Sequence, residues 1–226
     1  MTKWEKLPVY MQNEAVRPYF EGLKRKIFTR FLKRTFDIFA SGTLILLLSP
    51  VMLFVAIWIK LDSKGPVFYK SIRVTQNGKD FKILKFRTMV VDADKKGSLI
   101  TVSGDDRITR VGKKIRHSRL DEIPQLFNIF IGQMSFVGTR PEVRRYVDAY
   151  TPEMYATLLL KAGVTSKASI AFRDEDEKMA ALTSSGLSVD EAYINHILPE
   201  KMKYNLEYTR NFNLFSDIIT CVKTVI

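Results

Sequence analysis

Residues 36–61, FDIFASGTLILLLSPVMLFVAIWIKL, decide how this chain folds. An apolar run of this length is typical of a membrane segment. Ser49 and Pro50 interrupt the run near its middle, because proline lacks a backbone donor and clashes with the carbonyl group one turn earlier. The pattern alone leaves two arrangements open: a kinked helix that crosses the bilayer, and a re-entrant helix that turns at Pro50 and returns to the same side.

Basic residues at both ends of the run favour the re-entrant arrangement. A crossing helix is basic mainly on its cytoplasmic side, whereas equal charge suggests that both ends stay in the cytoplasm. We therefore divide the chain into an N-terminal segment at 1–35, a re-entrant membrane helix at 36–61 and a cytoplasmic domain at 62–226. The flanking basic residues are Lys24, Arg25, Lys26, Arg30, Lys33 and Arg34 before the run, and Lys60, Lys64, Lys70 and Arg73 after it.

The 226 residues carry a net charge of +12, which indicates an anionic partner such as lipid headgroups, phosphate-bearing ligands or nucleic acid. We do not expect nucleic acid, because the chain has neither a recognition-helix motif nor a repeat of aromatic and basic residues. Cys221 is the only cysteine, so an internal disulfide is excluded. With only two histidines as well, a structural zinc site is not expected.

The residue periodicity predicts an α/β fold that is mainly helical. A basic amphipathic helix at 23–35 would lie on the membrane surface, with a soluble helix packed on the domain as the alternative. Asp37 would lie at headgroup depth and pair with Lys33 or Arg34. The apolar face of the surface helix would consist of Leu23, Ile27, Phe28, Phe31 and Leu32.

The remaining elements follow from alternation, helical period and turn residues. A short β-hairpin is expected, with strands at 67–69 and 81–86 joined across 76–79. Ser188 and Glu191 form a capping-box pattern at the start of a helix at 187–208. Further helices are predicted at 88–96, 108–117, 120–130, 154–160 and 212–226, and a further strand at 166–173.

Asp121 and Glu122 are the candidate catalytic residues. They begin the predicted helix at 120–130, where the helix N-terminus favours anions, and neighbouring positions point about 100° apart. Surrounding cations should keep the acids ionised, and carboxylates, cations and a divalent metal together indicate phosphoryl transfer. Alternatively, the acids only complement the helix dipole while the cations hold headgroups. The cations are Arg107, Arg110, Lys113, Lys114, Arg116, Arg119, Arg140, Arg144 and Arg145.

Several motifs resemble those of the bacterial sugar transferases called monotopic phosphoglycosyl transferases. The resemblance runs from about residue 33 to the C-terminus, and the stretch 120–142 is the most specific part. The matching motifs are Lys33-Arg34-x-x-Asp37, Ser49-Pro50, Lys85-Phe86-Arg87-Thr88-Met89, Asp106-Arg107-Ile108-Thr109, Arg119-Leu120-Asp121-Glu122-Ile123-Pro124-Gln125-Leu126-Phe127-Asn128 and Gly132-x-Met134-Ser135-Phe136-Val137-Gly138-x-Arg140-Pro141-Glu142.

The resemblance implies an enzyme at the cytoplasmic face of the bacterial inner membrane. It would move a phospho-sugar from a UDP-sugar to undecaprenyl phosphate, or a similar polyprenyl phosphate, and release UMP. This step would initiate the assembly of O-antigen, capsule, exopolysaccharide or glycoprotein glycans. Membrane lipid would be a further partner.

The resemblance also implies roles for individual residues. Asp121 would be the nucleophile that forms a covalent phospho-sugar, and Glu122 would act with Mg²⁺ or in proton handling, so that both acids are candidate metal ligands. Ser49 and Pro50 would hold the re-entrant turn. The candidate phosphate-binding residues are Lys85, Arg87, Arg107, Arg116 and Arg140.

Some residues depart from the family pattern. Thr139 stands where a proline is common, and 162–167 lack the motif Pro-Gly-x-Thr-Gly-Trp. The acidic stretch 172–177 either shapes sugar choice or forms a solvated loop, and we favour the loop. The alternative function is a non-catalytic basic peripheral membrane protein that binds anionic lipid. The sequence leaves open whether the chain forms a homodimer.

Overall fold

The computed structural model describes residues 2–93 and 105–225, and this part of the chain is mainly helical, as predicted. The helices are α1 Arg17–Arg25, α2 Ile27–Asp62, α3 Arg110–His117, α4 Gln125–Phe130, α5 Arg144–Val147, α6 Lys167–Ala171, α7 Glu175–Ser184, α8 Val189–Ala192, α9 Leu198–Arg210 and α10 Leu214–Val225. The strands are β1 Phe68–Val74, β2 Asp80–Phe86, β3 Met134–Val137 and β4 Ala162–Thr165. Short 3-10 turns include Leu120–Glu122 and Met154–Leu159, and a π-helical turn lies at Tyr193–Ile197.

The strands form two separate two-stranded sheets. Strands β1 and β2 make the predicted antiparallel hairpin, and Asn77 and Gly78 at its tip adopt the positive φ angles that tight turns require. Strands β3 and β4 pair in parallel. Here the backbones of Gly138 and Gly163 approach closely: a Cβ atom on Gly138 would lie only 2.9 Å from the Gly163 backbone nitrogen.

The N-terminal arm is part of the main hydrophobic core. Met11, Val16 and Leu23 are buried in the same cluster as Leu159 and Met202. Burial of apolar side chains is the main favourable contribution to folding, so the arm that precedes α2 stabilises the domain.

The helix predicted at 23–35 is divided at Lys26, where the backbone leaves the helical conformation. Leu23 is buried in α1, whereas Ile27, Phe28 and Phe31 belong to α2 and are exposed. The expectation of one amphipathic surface helix is therefore wrong for Leu23, because the core takes that side chain.

Helix α2 contains 36 residues, which corresponds to a length of about 54 Å, and it is long and apolar enough to cross a membrane. Only 11% of its most apolar 18-residue window is buried, which distinguishes it from the core helix of a soluble protein. Its exposed apolar side chains include Phe39, Leu46, Leu47, Leu53, Phe54, Ile57 and Leu61.

The helix runs continuously through Pro50, so a loss of helical structure at Ser49-Pro50 is not observed. Pro50 cannot donate to the carbonyl group of Leu46, four residues earlier. The Ser49 hydroxyl donates to that carbonyl oxygen at 2.8 Å instead. Ser49 therefore satisfies the acceptor that the proline leaves free.

The N-terminal half of α2 is fixed to the domain by buried charges. Lys33 Nζ donates to Asp217 Oδ2 in α10 at 2.6 Å. Arg34 donates to the carbonyl oxygens of Ile129 and Phe130, at 2.7 and 2.8 Å, and so caps the C-terminal end of α4. Both contacts remove side-chain charges from the apolar outer face of the helix.

Asp37 is buried and does not make the predicted pair with Lys33 or Arg34. It accepts hydrogen bonds from the Ser135 hydroxyl at 3.1 Å and from the Phe136 backbone N–H at 3.3 Å. The prediction was wrong because neighbours in sequence were considered, whereas β3 supplies the donors from about 100 residues further along the chain.

The C-terminal half of α2 packs on the same domain. Ile59 is buried in a cluster with Phe86 and Ile115. Asp62, the last residue of the helix, accepts a hydrogen bond from the Val111 backbone N–H at the start of α3, at 3.1 Å. One domain therefore contacts α2 near both of its ends.

The helix predicted at 88–96 is not formed in its described part. Residues 88–90 are extended, and Met89 makes a β-bridge with Ile108. The pairing of Met89 with a distant segment outweighs a local helical preference, as tertiary contacts often do. Residues 94–96 of this prediction lie outside the described residues.

The predicted strand at 166–173 is instead helix α6. Ser166 is its N-cap, because its hydroxyl accepts from the Ser169 N–H at 2.9 Å. The acidic stretch at 172–177 is not a solvated loop throughout, since α7 begins at Glu175. The amphipathic tail helix is confirmed as α10, as is the capping box of Ser188 and Glu191 at α8.

The buried pair of Lys33 and Asp217 yields a test of how α2 is attached. We expect Lys33→Met to lower the free energy of unfolding by about 3 kcal/mol, because it leaves a buried carboxylate without its cation. Urea denaturation in detergent micelles would measure this. The exposed pair of Lys203 and Glu200 is the matched control, and Lys203→Met should change the stability by less than about 0.5 kcal/mol. Equal effects of the two substitutions would contradict the anchoring role of Lys33.

Candidate active site

Asp121 lies on a 3-10 turn rather than in a continuous helix at 120–130. Arg119 precedes the turn Leu120–Glu122 with a φ angle of +56°, in the left-handed region that non-glycine residues rarely adopt. Pro124 then begins α4. Strained backbone of this kind is concentrated at functional sites, and here it directs Asp121 and Glu122 into one cavity.

The cavity has a volume of about 800 Å³, and its wall carries both acids together with many cations. The side chain of Asp121 is 8% exposed. Five of the predicted residues line the cavity on the cationic side: Lys85, Arg87, Arg107, Arg116 and Arg140. The structure therefore brings together every residue that the sequence proposed for catalysis and phosphate binding.

Glu122 is held by two cations. Its Oε1 atom accepts hydrogen bonds from Lys85 Nζ at 2.7 Å and from an Arg140 guanidinium nitrogen at 2.8 Å. Burial alone would raise the pKa of Glu122, but the charges and hydrogen bonds of Arg140 and Lys85 lower it well below its ordinary value. Glu122 is therefore a permanent anion that fixes both cations.

Asp121 is in a different electrostatic environment. Burial raises its pKa above the ordinary value, the nearby charges of Lys85 and Arg116 oppose that rise, and the charge of Glu122 adds to it. The expectation from the sequence that the surrounding cations keep Asp121 ionised stays a prediction, and burial works against it. A buried carboxylate is a more reactive anion than a solvated one, because water does not stabilise its charge.

Lys85 and Arg140 are affected in opposite directions. Burial lowers the pKa of Lys85, against the attraction of Glu122. The charge of Glu122 raises the pKa of Arg140 despite the burial of the guanidinium group. Arg140 is therefore the cation of the pair that stays charged under all conditions.

The guanidinium group of Arg87 is bonded to the protein backbone rather than left unbonded in the cavity. It donates to the carbonyl oxygens of Ser63 and Lys64, both at 2.8 Å, and to the Ser63 hydroxyl. It therefore fixes the end of α2 to the cavity wall. A direct bond from Arg87 to a phosphate would require these contacts to be exchanged.

Arg107 is also engaged, with the carboxylate of Asp105 at 2.6 Å and the Ala93 carbonyl oxygen at 3.0 Å. The bidentate contact lowers the pKa of Asp105 to about 2. Arg107 lies at the cavity wall as a charge that is already balanced by one carboxylate.

Sequence reasoning missed several residues of the cavity wall. Tyr69, Ser71 and Arg73 alternate along β1 and face the cavity together with Ile83 and Lys85 of the paired strand β2. The period of two in a hairpin would have identified them once Lys85 was placed in the site. The wall also carries His117, Ser169, Phe172, Arg173, Glu175 and Asp176, and the last five come from segments assigned to a strand and a loop.

The carboxylates of the site suit a metal only in part. Within 2–93 and 105–225 there is no cluster of three or more acidic, histidine or cysteine side chains that could hold a cation. Glu122 already has two cationic partners on one oxygen. Magnesium in phosphate-transfer sites is bound by one or two carboxylates together with substrate phosphates, and Asp121 is the carboxylate that fits this mode.

Comparison with known proteins agrees with this chemistry. Residues 28–226 match the family model described as bacterial sugar transferase. A UDP-N-acetylgalactosamine-undecaprenyl-phosphate N-acetylgalactosaminephosphotransferase of Aeromonas hydrophila is 36% identical over 86% of this chain and 43% of its own length. A UDP-glucose:undecaprenyl-phosphate glucose-1-phosphate transferase of Klebsiella pneumoniae is 32% identical over 85% of this chain and 39% of its own length.

The chain thus spans about two fifths of the length of these two relatives. A shorter relative, the UDP-glucose:undecaprenyl-phosphate glucose-1-phosphate transferase of Caulobacter vibrioides, is 32% identical, and the match covers 85% of this chain and 68% of the relative. The match to the family model includes nearly all of the long apolar helix α2, the strained turn and the residues that line the cavity. The chain belongs to the bacterial sugar transferase family.

Proposed function

We propose that this chain transfers a phospho-sugar from a UDP-sugar to undecaprenyl phosphate or a similar polyprenyl phosphate, with release of UMP. The observation that carries the proposal is a buried carboxylate, Asp121, in a cavity lined by cations. The names of the relatives support a UDP-sugar as donor and undecaprenyl phosphate as acceptor. The product would enter the assembly of a bacterial polysaccharide or glycoprotein glycan.

The reaction would proceed in two displacements on the same phosphorus atom. An oxygen of Asp121 attacks the phosphorus that bears the sugar, and the bond from that phosphorus to the UMP oxygen breaks, so that UMP leaves with the electron pair. An oxygen of the polyprenyl phosphate then attacks the phosphorus and breaks its bond to Asp121. The carboxylate is regenerated, and the product is a polyprenyl diphospho-sugar.

Glu122 would act through its two partners. Because its pKa is strongly lowered, it does not carry a proton at neutral pH. It holds Lys85 and Arg140 at the wall where the diphosphate binds, and these cations would balance the charge that develops on the leaving group.

Mg²⁺ would be held by Asp121 and by the diphosphate of the donor, where it would neutralise charge and improve UMP as a leaving group. Glu122 is the weaker candidate ligand, because Lys85 and Arg140 occupy one of its oxygens. In this arrangement the substrate would bring most of the metal's ligands.

The contacts of α2 support a membrane segment whose two ends lie on the same side of the bilayer. Lys33 and Asp62 lie 29 residues apart in one helix, about 44 Å along its axis, yet both bind the same domain. A helix that crossed a hydrocarbon core of about 30 Å would place these two contacts on opposite sides. The apolar outer face of α2 would then lie in one leaflet of the inner membrane, with the cavity at the cytoplasmic face.

Asp121→Asn tests the covalent step. An amide is a poor nucleophile, so we expect the rate of UMP release to fall at least a thousandfold while the melting temperature changes little. Intact-protein mass spectrometry of the wild type, incubated with a UDP-sugar but no lipid acceptor, should reveal a phospho-sugar adduct that the variant lacks. Product formation by the variant at more than a tenth of the wild-type rate would remove Asp121 as the nucleophile. Release of UDP, or of neither nucleotide, by the wild type would refute phospho-sugar transfer, and the second result would favour simple lipid binding.

The raised pKa of Asp121 gives a pH prediction for the first half-reaction. The attacking group must be ionised, so the rate of the UMP burst should fall as the pH is lowered; burial raises the pKa of Asp121 above the ordinary 3.8, whereas a bound Mg²⁺ would lower it. Lys85→Gln removes a charge that opposes this rise and should move the apparent pKa further upward. Rapid-quench measurement of UMP between pH 4 and 9 would show this, and a burst rate that does not change across that range would contradict ionisation of Asp121 as the controlling step.

The topology can be tested with single cysteines in a Cys221→Ser background. Lys24→Cys and Lys64→Cys flank α2, and we expect a membrane-impermeant maleimide to label both only when the cytoplasmic face is accessible. Leu47→Cys, on the exposed apolar face, is the control and should stay protected in intact membranes. Labelling of the two flanking positions from opposite sides would establish a crossing helix instead.

A further inference from the structure

A side pocket of about 150 Å³ opens beside the main cavity. The two spaces share Arg73, Arg140 and Glu175 in their walls. Because Arg140 also binds Glu122, the side pocket lies one side chain away from the candidate catalytic pair. A sugar bonded to the phosphorus beside Asp121 would have this pocket within reach.

Lys201 organises the polar wall of the side pocket. The residue is only 4% exposed, and its Nζ atom donates to both oxygens of Glu175, Oε1 at 3.2 Å and Oε2 at 3.0 Å, and to the Tyr193 hydroxyl oxygen at 3.2 Å. The Tyr193 hydroxyl in turn donates to Glu142 Oε1. A buried polar network whose members are partnered is held in one arrangement, so these side chains are set before any ligand arrives.

The π-helical turn Tyr193–Ile197 brings this network together. In a regular α-helix, residues eight positions apart would point about 80° away from each other. A π turn accommodates one extra residue, so Tyr193 and Lys201 are offset as if seven positions apart, by about 20°. The turn therefore places both side chains on the face of the helix that looks into the pocket. Such turns occur frequently at functional sites.

Glu175 is the residue of this network that lines both the main cavity and the side pocket. It begins α7, and its side chain is 30% exposed, whereas that of Lys201 is 5% exposed. A carboxylate offers about four lone-pair positions, so the two contacts from Lys201, one to each oxygen, leave acceptor capacity toward the cavity. Sugar hydroxyl and amide groups are donors of the matching kind.

We propose that Glu175, fixed by Lys201, accepts a hydrogen bond from a hydroxyl or amide N–H group of the transferred sugar, and that the side pocket thereby selects among UDP-sugar donors. The inference rests on the proposed phospho-sugar transfer and adds to it a residue that recognises the sugar. A donor sugar that lacks the bonded group would lose a charge-assisted hydrogen bond, and so would react more slowly than a sugar that makes it. Lys201 is a positioning residue in this scheme, since it acts through Glu175.

Four donors test the proposal: UDP-glucose, UDP-galactose and their 2-acetamido counterparts, which differ only at C2 and in the orientation of the C4 hydroxyl. For Glu175→Gln, we expect kcat/KM for the preferred donors to fall about 10- to 100-fold, with a much smaller change for the poor donors. Two ratios of kcat/KM follow from the four donors: the C2 ratio compares each sugar with its 2-acetamido counterpart, and the C4 ratio compares gluco with galacto donors. One of these two ratios would therefore shrink by about tenfold or more. Lys201→Met should alter the same ratio in the same direction, and the melting temperatures of both variants would establish that they are folded.

Glu177→Gln, at an exposed position of the same helix, is the matched control and should leave both ratios unchanged. If wild type and Glu175→Gln both release UMP and show the same two ratios, the inference is overturned while the proposed function stands. If all four donors slow by one common factor, selection by Glu175 is overturned as well. If the wild type releases no UMP from any donor, the proposed function fails, and the inference fails with it.

Discussion

Helix α2 imposes the constraint on which the rest of the structure depends. Its outer face is apolar over most of its length, so every charge on the helix has to be directed toward the domain or toward its ends. Lys33, Arg34 and Asp37 satisfy this requirement at one end through α10, α4 and β3. The turn that carries Asp121 leads into α4, and Arg140 follows β3, so these contacts connect α2 to the cavity through neighbouring elements.

The site separates two adjacent carboxyl groups by environment. Glu122 is bound by Lys85 and Arg140 and is held as an anion, while burial raises the pKa of its neighbour Asp121. Two carboxyl groups in different environments can take different roles, as in other enzymes that use a pair of carboxyl groups. Lys85 and Arg140 come from β2 and from the segment after β3, so the division of roles is set by tertiary structure rather than by the turn itself.

Local patterns predicted much of the fold. The hairpin, the capping box at α8, the tail helix and the long apolar segment all follow from signals that lie within one element, such as alternation, a cap or a continuous hydrophobic run. The family motifs placed Asp121, Glu122 and the cations at one cavity. The failures have a different origin: Leu23, Asp37 and Met89 each found a partner far away in sequence, and Ser166 began a helix where alternation suggested a strand.

The electrostatic details could not be read from the sequence for the same reason. Nothing in the motif around residue 87 indicates that Arg87 binds the carbonyl groups that follow α2. The raised pKa of Asp121 depends on how deeply the turn is buried, which is a property of the surrounding packing. The wall that holds Glu175 was assigned to a loop because its partner, Lys201, lies 26 residues away.

The glycine contact between β3 and β4 has a consequence for attempts to alter this protein. A Cβ atom on Gly163 would lie 2.1 Å from the backbone nitrogen of Gly138, and Arg140 follows only two residues later. A backbone shift at this close contact between Gly138 and Gly163 would therefore displace Arg140, whose guanidinium group binds Glu122. Libraries that vary the cavity should therefore leave both glycines unchanged and concentrate diversity on the helical part of its wall, at α6 and α7.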